Sequence, residues 1–265
     1  VSQSNVSQLQ GDASLRPNPL LNLCQHFTSA PPNALMISAN DADHERAGVF
    51  VQIVKSGSWR NLHERQGLEP SGVTDAFVFP VLWPVSGSGF TDEIWHAQRA
   101  ALSMAGLSDA NLVRGDDVRR RIFSALNSPP SYWGDFWEDL IASQFGVTQG
   151  GLAALNQTLA KRGARIILVL DGISEIFGGP QDIAGGSGRH AVEALLRMTN
   201  RIDELSDPHL GIITLVRSDC ARAAISQNFG QMAQRFDRFC IEHHPELAQI
   251  PSPSADDPCE SNTPR

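Results

Sequence analysis

The chain has 265 residues, 41% of them apolar, and a formal net charge of −8, enough apolar material for a buried core in one large domain or two small ones. Its basic residues are scattered, which argues against a nucleic-acid-binding face, because that needs a basic stripe along the phosphates. No apolar run approaches the roughly 20 residues that span a bilayer, so no membrane partner is expected.

Val1–Arg16 is polar and has no secretory signal pattern. The chain begins without Met, which leaves room for a domain upstream. Cys24, Cys220, Cys240 and Cys259 are spread out with no metal-ligand spacing. They read as separate reduced thiols, and the expected compartment is the cytoplasm.

Residues 1–19, rich in Ser, Gln and Asn, predict a mobile tail, and Pro-rich, acidic 245–265 predicts another. The folded body is expected over 20–244. Ala34–Ser38 predicts a short buried strand and Gly48–Lys55 a short helix. Ala76–Trp83 predicts a second strand, pushed to an edge or a bulge by Pro80. Thr91 is a candidate N-cap for a helix to Ala105, whose face is Ile94, Ala97, Ala101 and Leu102.

Helices are predicted over Asp116–Leu126, Ser131–Phe145 and Thr148–Arg162. Ser131 would cap the second, and Gly163 would close the third. Tyr132, Trp133, Phe136 and Trp137 form an aromatic stripe that reads as core. Arg165–Leu170 is the strongest strand, and its unbroken apolar character suits a central parallel strand covered on both faces.

A Gly-rich stretch, Gly185–Gly188, reads as a flexible connector rather than an anion-binding helix start. A helix over His190–Glu204, a strand over Leu210–Val216, a helix over Asp219–Gln227 and a last short strand at Phe239–Ile241 complete the body. Strands alternating with helices predict an α/β fold with a mainly parallel sheet in a three-layer sandwich. Ligands of such sheets sit at the carboxyl ends of the strands.

The strand ending in Asp171 therefore matters. An Asp there can hold a magnesium ion beside phosphates, and a nearby acid such as Glu175 can orient a water. The plainer alternative is that Asp171 caps the turn and Glu175 is solvated. The run Asp171, Gly172, Ile173, Ser174, Glu175 resembles the Walker B region of the signalling P-loop NTPases, the STAND class that includes NACHT domains. Ser174 departs from that pattern, where a second Asp is usual. Ile212–Arg217 resembles the sensor strand of the same class, in which an Arg after the strand reaches the terminal phosphate. Arg217–Phe236 is also similar to segments of bacterial multidomain proteins of this kind. The resemblance implies a P-loop NTPase-like fold, with Asp171 on the metal, Glu175 on water and Arg217 on phosphate.

No phosphate-binding loop accompanies them. Such a loop needs Gly, four residues, Gly, Lys and then Ser or Thr, so that backbone N–H groups and a Lys wrap the phosphates. Counted by position after Ser38, Ala39 stands for the first Gly, His44 for the second, Glu45 for the Lys and Arg46 for the hydroxyl residue. Glu45, with Asp41 and Asp43, would set negative charge against polyphosphate. An exposed polar loop without ligand is the expected structure of 41–45.

No Gly-x-Ser-x-Gly elbow and no Gly-x-Gly-x-x-Gly loop is present, and His243–His244 reads as solvent-exposed. Two functions follow. One is a degenerate P-loop NTPase-like module with a regulatory or interaction role in a larger bacterial signalling or conflict protein, needing no cofactor and partnered by protein or by further domains. The other is a nucleotide hydrolase that takes ATP or GTP with Mg2+ through a non-standard loop.

Overall fold

The computed structural model describes residues 18–84, 90–225 and 227–241. The expected tails fall almost wholly outside these residues, as do His243–His244 and Cys259. The described chain begins with α1 (Pro19–His26), β1 (Asn33–Ser38), α2 (Asp43–Ser56), α3 (Trp59–Arg65), β2 (Phe77–Leu82) and α4 (Phe90–Met104). After a 3-10 turn at Asp109–Asn111 come α5 (Gly115–Asn127), α6 (Trp133–Gln144), α7 (Gly151–Arg162) and β3 (Ile166–Leu170). Then follow α8 (Ile173–Phe177), α9 (Pro180–Ala184), α10 (Gly186–Leu196), α11 (Met198–Asp203), β4 (Leu210–Arg217), α12 (Ser218–Ala224) and α13 (Phe229–Phe236).

The fold is α/β. The four strands form one sheet in the order β1-β4-β3-β2, and every pairing is parallel. All of β3 is buried, as is β4 up to Val216. Side chains of a strand alternate between faces, so full burial requires cover on both sides of the sheet. This agrees with a three-layer arrangement. β2 lies at one edge, and its register slips between Pro80 and Leu82. Proline has no N–H for the ladder, so an edge position and a bulge accommodate it.

At the other edge a single parallel bridge joins Ile241 to Ser38. The expected last strand at Phe239–Ile241 is thus a 3-10 turn at Asp237–Phe239 followed by one bridging residue. Chain direction reverses in the sheet between β1 and β4. The chain leaves β1 for the β2 edge, whereas it leaves β4 for the Ile241 edge. This is the switch point at which open parallel sheets hold their ligands.

Several elements differ from their sequence-based bounds. α2 starts at Asp43 rather than Gly48 and takes in His44, Glu45 and Arg46. Thr91 lies inside α4. Tyr132, not Ser131, is the N-cap of α6, with no side-chain capping bond. The predicted helix over His190–Glu204 is α10 followed directly by α11. Gly186–Gly188 is the first turn of α10, so the expected flexible connector is absent there, and Ser187 Oγ donates to the Leu126 carbonyl at 3.0 Å. The aromatic stripe divides: Trp137 is buried with its indole N–H on the Ala191 carbonyl (2.9 Å), Trp133 is buried, and Tyr132 is 55% exposed.

Candidate functional site

Asp171 directly follows β3 and has no exposed surface. Its backbone N–H donates to the Leu82 carbonyl at 3.0 Å, and its Oδ1 accepts the Gly172 N–H at 2.7 Å. Gly172 takes φ +79°, and a Cβ there would lie 2.6 Å from the Trp83 backbone. Only glycine fits both the left-handed turn and the close approach, which gives a physical reason for the Asp-Gly pair.

The group facing Asp171 is Arg46. Its Nη1 pairs with Asp171 Oδ1, and its Nη2 lies 3.1 Å from Asp43 Oδ1 and 3.6 Å from Glu175 Oε1. The Arg46 side chain is 4% exposed. A buried guanidinium is tolerated where carboxylates surround it, and its planar fork suits more than one of them. Asp171 Oδ2 and Arg46 Nε have no hydrogen-bond partner. Glu175 also accepts from Ser174 Oγ at 3.0 Å, so the residue that departs from the Walker B pattern serves its neighbour.

Arg217 sits at the tip of β4 but turns to Asp219, donating from Nε at 3.2 Å and from Nη2 at 2.6 Å. Its Nη1 is 3.6 Å from Asp43 Oδ2. The hydrogen bonds to Asp219 hold the guanidinium above its ordinary pKa. Burial works against the Asp219 charge, but Arg217 and the Cys220 N–H outweigh it and hold that carboxyl below its usual value. Asn40 closes the switch point: its Oδ1 accepts from Ser218 Oγ at 2.8 Å and from the Asp219 N–H at 3.1 Å.

The loop between β1 and α2 is four residues long, without glycine and without positive φ. The Ala39 N–H is spent on the Ile241 carbonyl (3.0 Å), and the Ala42 N–H on the Ala39 carbonyl (3.2 Å). The expected exposed loop over 41–45 is therefore corrected. Asp41 is exposed in the turn, but Asp43, His44 and Glu45 are helical, and Glu45 is 5% exposed. The early helix start carries Arg46 inward onto Asp171. His44 is exposed on the first turn of α2, and Ala39 is half-buried.

The structure thus brings Arg46, Asp171 and Glu175 together, with Arg217 linked through Asp43. It does not gather Ala39, His44 and Glu45 into a phosphate cradle. A magnesium ion on Asp171 would sit against a guanidinium that already neutralises this carboxylate, and the carboxylate's unpartnered Oδ2 is itself buried. A triphosphate would meet a short turn whose N–H groups are partly spent. These residues do not fit a Mg2+–triphosphate group, and no step through one is derived.

Sequence reasoning missed Asn40, Asp43 and Asp219 as members of the network. The signals were present: Asp43 stands three residues before Arg46, and Asp219 two after Arg217. The fold and site define an α/β protein with a parallel sheet whose strand-end acid is neutralised by an arginine of its own chain. Comparisons with models of known families, with curated proteins and with solved structures find no match.

Proposed function

We propose that the chain is a degenerate P-loop NTPase-like module of the STAND/NACHT type that works without nucleotide, as a regulatory or interaction domain in a larger bacterial signalling or conflict protein of the cytoplasm. The observation that carries this reading is the pairing of Arg46 with Asp171. The cation that a nucleotide hydrolase recruits as Mg2+ is, on this reading, built into the chain. Arg46 stands where the phosphate-loop motif would place a metal-binding hydroxyl, so one substitution supplies a charge and removes a metal ligand together. The partner is protein, or further domains of the same chain. Among the described residues no helix is long and apolar enough to cross a membrane.

Calorimetric titration with Mg-ATP and with Mg-GTP tests the reading. The expected result is no heat of binding at millimolar nucleotide. Micromolar binding that is lost on Asp171→Ala would overturn it, and would favour a hydrolase using Asp171, Glu175 and Arg217.

A further inference from the structure

α5 and α6 form an antiparallel hairpin that turns at 128–132, and Arg121 Nη1 on α5 lies 3.4 Å from Ser143 Oγ on α6. α5 buries only Val118 and Ile122. Its flank towards α6 is open. Two hollows there, of about 710 Å³ and 770 Å³, share Arg121 and Ser124 and so join into one trough along the helix. The apolar lining is Leu112 and Val113 in one half, and Ala125, Phe136, Leu140 and Val147 in the other. Large apolar side chains exposed among the described residues are Met104, Phe123 and Tyr132, and the last two belong to this hairpin. Phe123 stands at helical spacing from Arg120 and Asn127, and all three are exposed on the outward ridge of α5.

Charge along the trough is segregated. At the start of α5, Arg114, Arg120 and Arg121 line it against one acid, Asp117, which Arg120 already meets at 3.1 Å. Arg114 and Arg121 form no ion pair with a described residue. Towards the hairpin turn, Asp135 and Asp139 line it one helical turn apart, exposed and likewise without an ion pair among the described residues. Arg201, beside the Tyr132 ring, is turned to Glu138 and Glu204 instead.

We infer that this face binds a second copy of the chain across a two-fold axis. A trough of one sign would call for a partner of the opposite sign. A trough with positive charge at one end and negative charge at the other is complementary to itself when turned through half a circle. In that arrangement the α5 ridge of each copy enters the trough of the other, Phe123 meets its apolar lining, and the Arg121 end of one hairpin faces the Asp135 end of the other. Two hairpins then pack as four helices, ridges into grooves. The acidic stretch 245–265 of the same chain would complement the arginine end alone. No residue of this face belongs to the Asp171 site, so self-association and nucleotide binding can fail separately.

Sedimentation equilibrium of the full chain, from about 1 to about 200 µM, is the test, and a reversible dimer of micromolar Kd is expected from a face of this size. Arg121→Glu and Asp135→Arg each change an exposed residue, and each should raise Kd at least about tenfold. The double reversal restores the self-complementary pattern and should return Kd to within about threefold of the parent. Phe123→Ser should weaken the dimer at least about tenfold, whereas Met104→Ser, exposed but outside the hairpin, should not. Circular dichroism on each variant checks that the fold is kept. A chain that stays monomeric at the highest concentration overturns the inference and leaves the trough to another protein. So does a dimer indifferent to Arg121→Glu or to Phe123→Ser, or a double reversal no tighter than the single ones.

Discussion

Replacing Arg46 alone leaves the fully buried Asp171 carboxylate without its neutralising charge. Breaking such a pair from one side costs about 3–5 kcal/mol, whereas exchanging both partners for apolar residues of similar volume is often neutral or stabilising. Arg46→Met is therefore expected to lower the denaturant midpoint sharply. Arg46→Met with Asp171→Leu should recover most of that loss, with a coupling free energy of several kcal/mol in a double-mutant cycle. Additive losses would show that the two side chains do not depend on each other. At Gly172 the expectation rests on backbone alone. Gly172→Ala puts a methyl group into the Trp83 peptide at a positive φ, so it should cost more than about 1 kcal/mol in equilibrium unfolding. A neutral result would mean that the turn after β3 relaxes freely.

At the scale of elements, α3 supplies a pH-dependent contribution. Trp59 opens the helix with its indole N–H on the Phe27 carbonyl at 2.8 Å, and the His63 ring meets it edge-on at 5.1 Å. His63 is 1% exposed, and burial pushes its pKa below the ordinary 6.5, an effect the Phe27 backbone only partly offsets. The unfolded chain then binds a proton that the folded chain refuses, so stability is full above about pH 6.5 and falls as pH drops through that value, by at most about 1.4 kcal/mol per pH unit. His26 is lowered by its own burial and by Arg238, and acts in the same sense. Denaturant midpoints measured across this range should fall on acidification, and His63→Phe should flatten the curve. An unaltered slope in that variant would remove His63 from the account.

The same scale shows what the sequence made legible. All four strands β1–β4 were visible because each is a short run of apolar residues, and hydrophobic patterning reports burial by apolar contact. The start of α2 was not visible, because Asp43, His44, Glu45 and Arg46 look like a solvated turn. Arg46 is buried by ion pairing with residues far along the chain, and no periodicity records that. Asp171 and Arg217 could be located at strand tips from sequence. Their partners could not, since Arg217 might have faced the switch point as readily as Asp219.

For the whole molecule, the first and last described segments meet. Asn22 Nδ2 donates to the Arg238 carbonyl at 3.0 Å, and Arg238 reaches His26 Nδ1 at 3.0 Å. Phe27 and Phe239 pack with ring centroids 5.8 Å apart. The bridge at Ile241 finishes this closure. Its N–H donates to the Ile37 carbonyl at 2.9 Å, and its carbonyl accepts the Ala39 N–H. The chain that continues past Ile241 is thereby hitched to the peptides on either side of Ser38, alongside a parallel strand. A pull on that continuation loads both hydrogen bonds together in shear rather than unzipping them one by one. The first peptide to feel the load belongs to the turn that leads into Arg46. Ile241 is in this sense a mechanical handle on the lock at Asp171, since tension on the residues after it would reach the sheet through these two bonds.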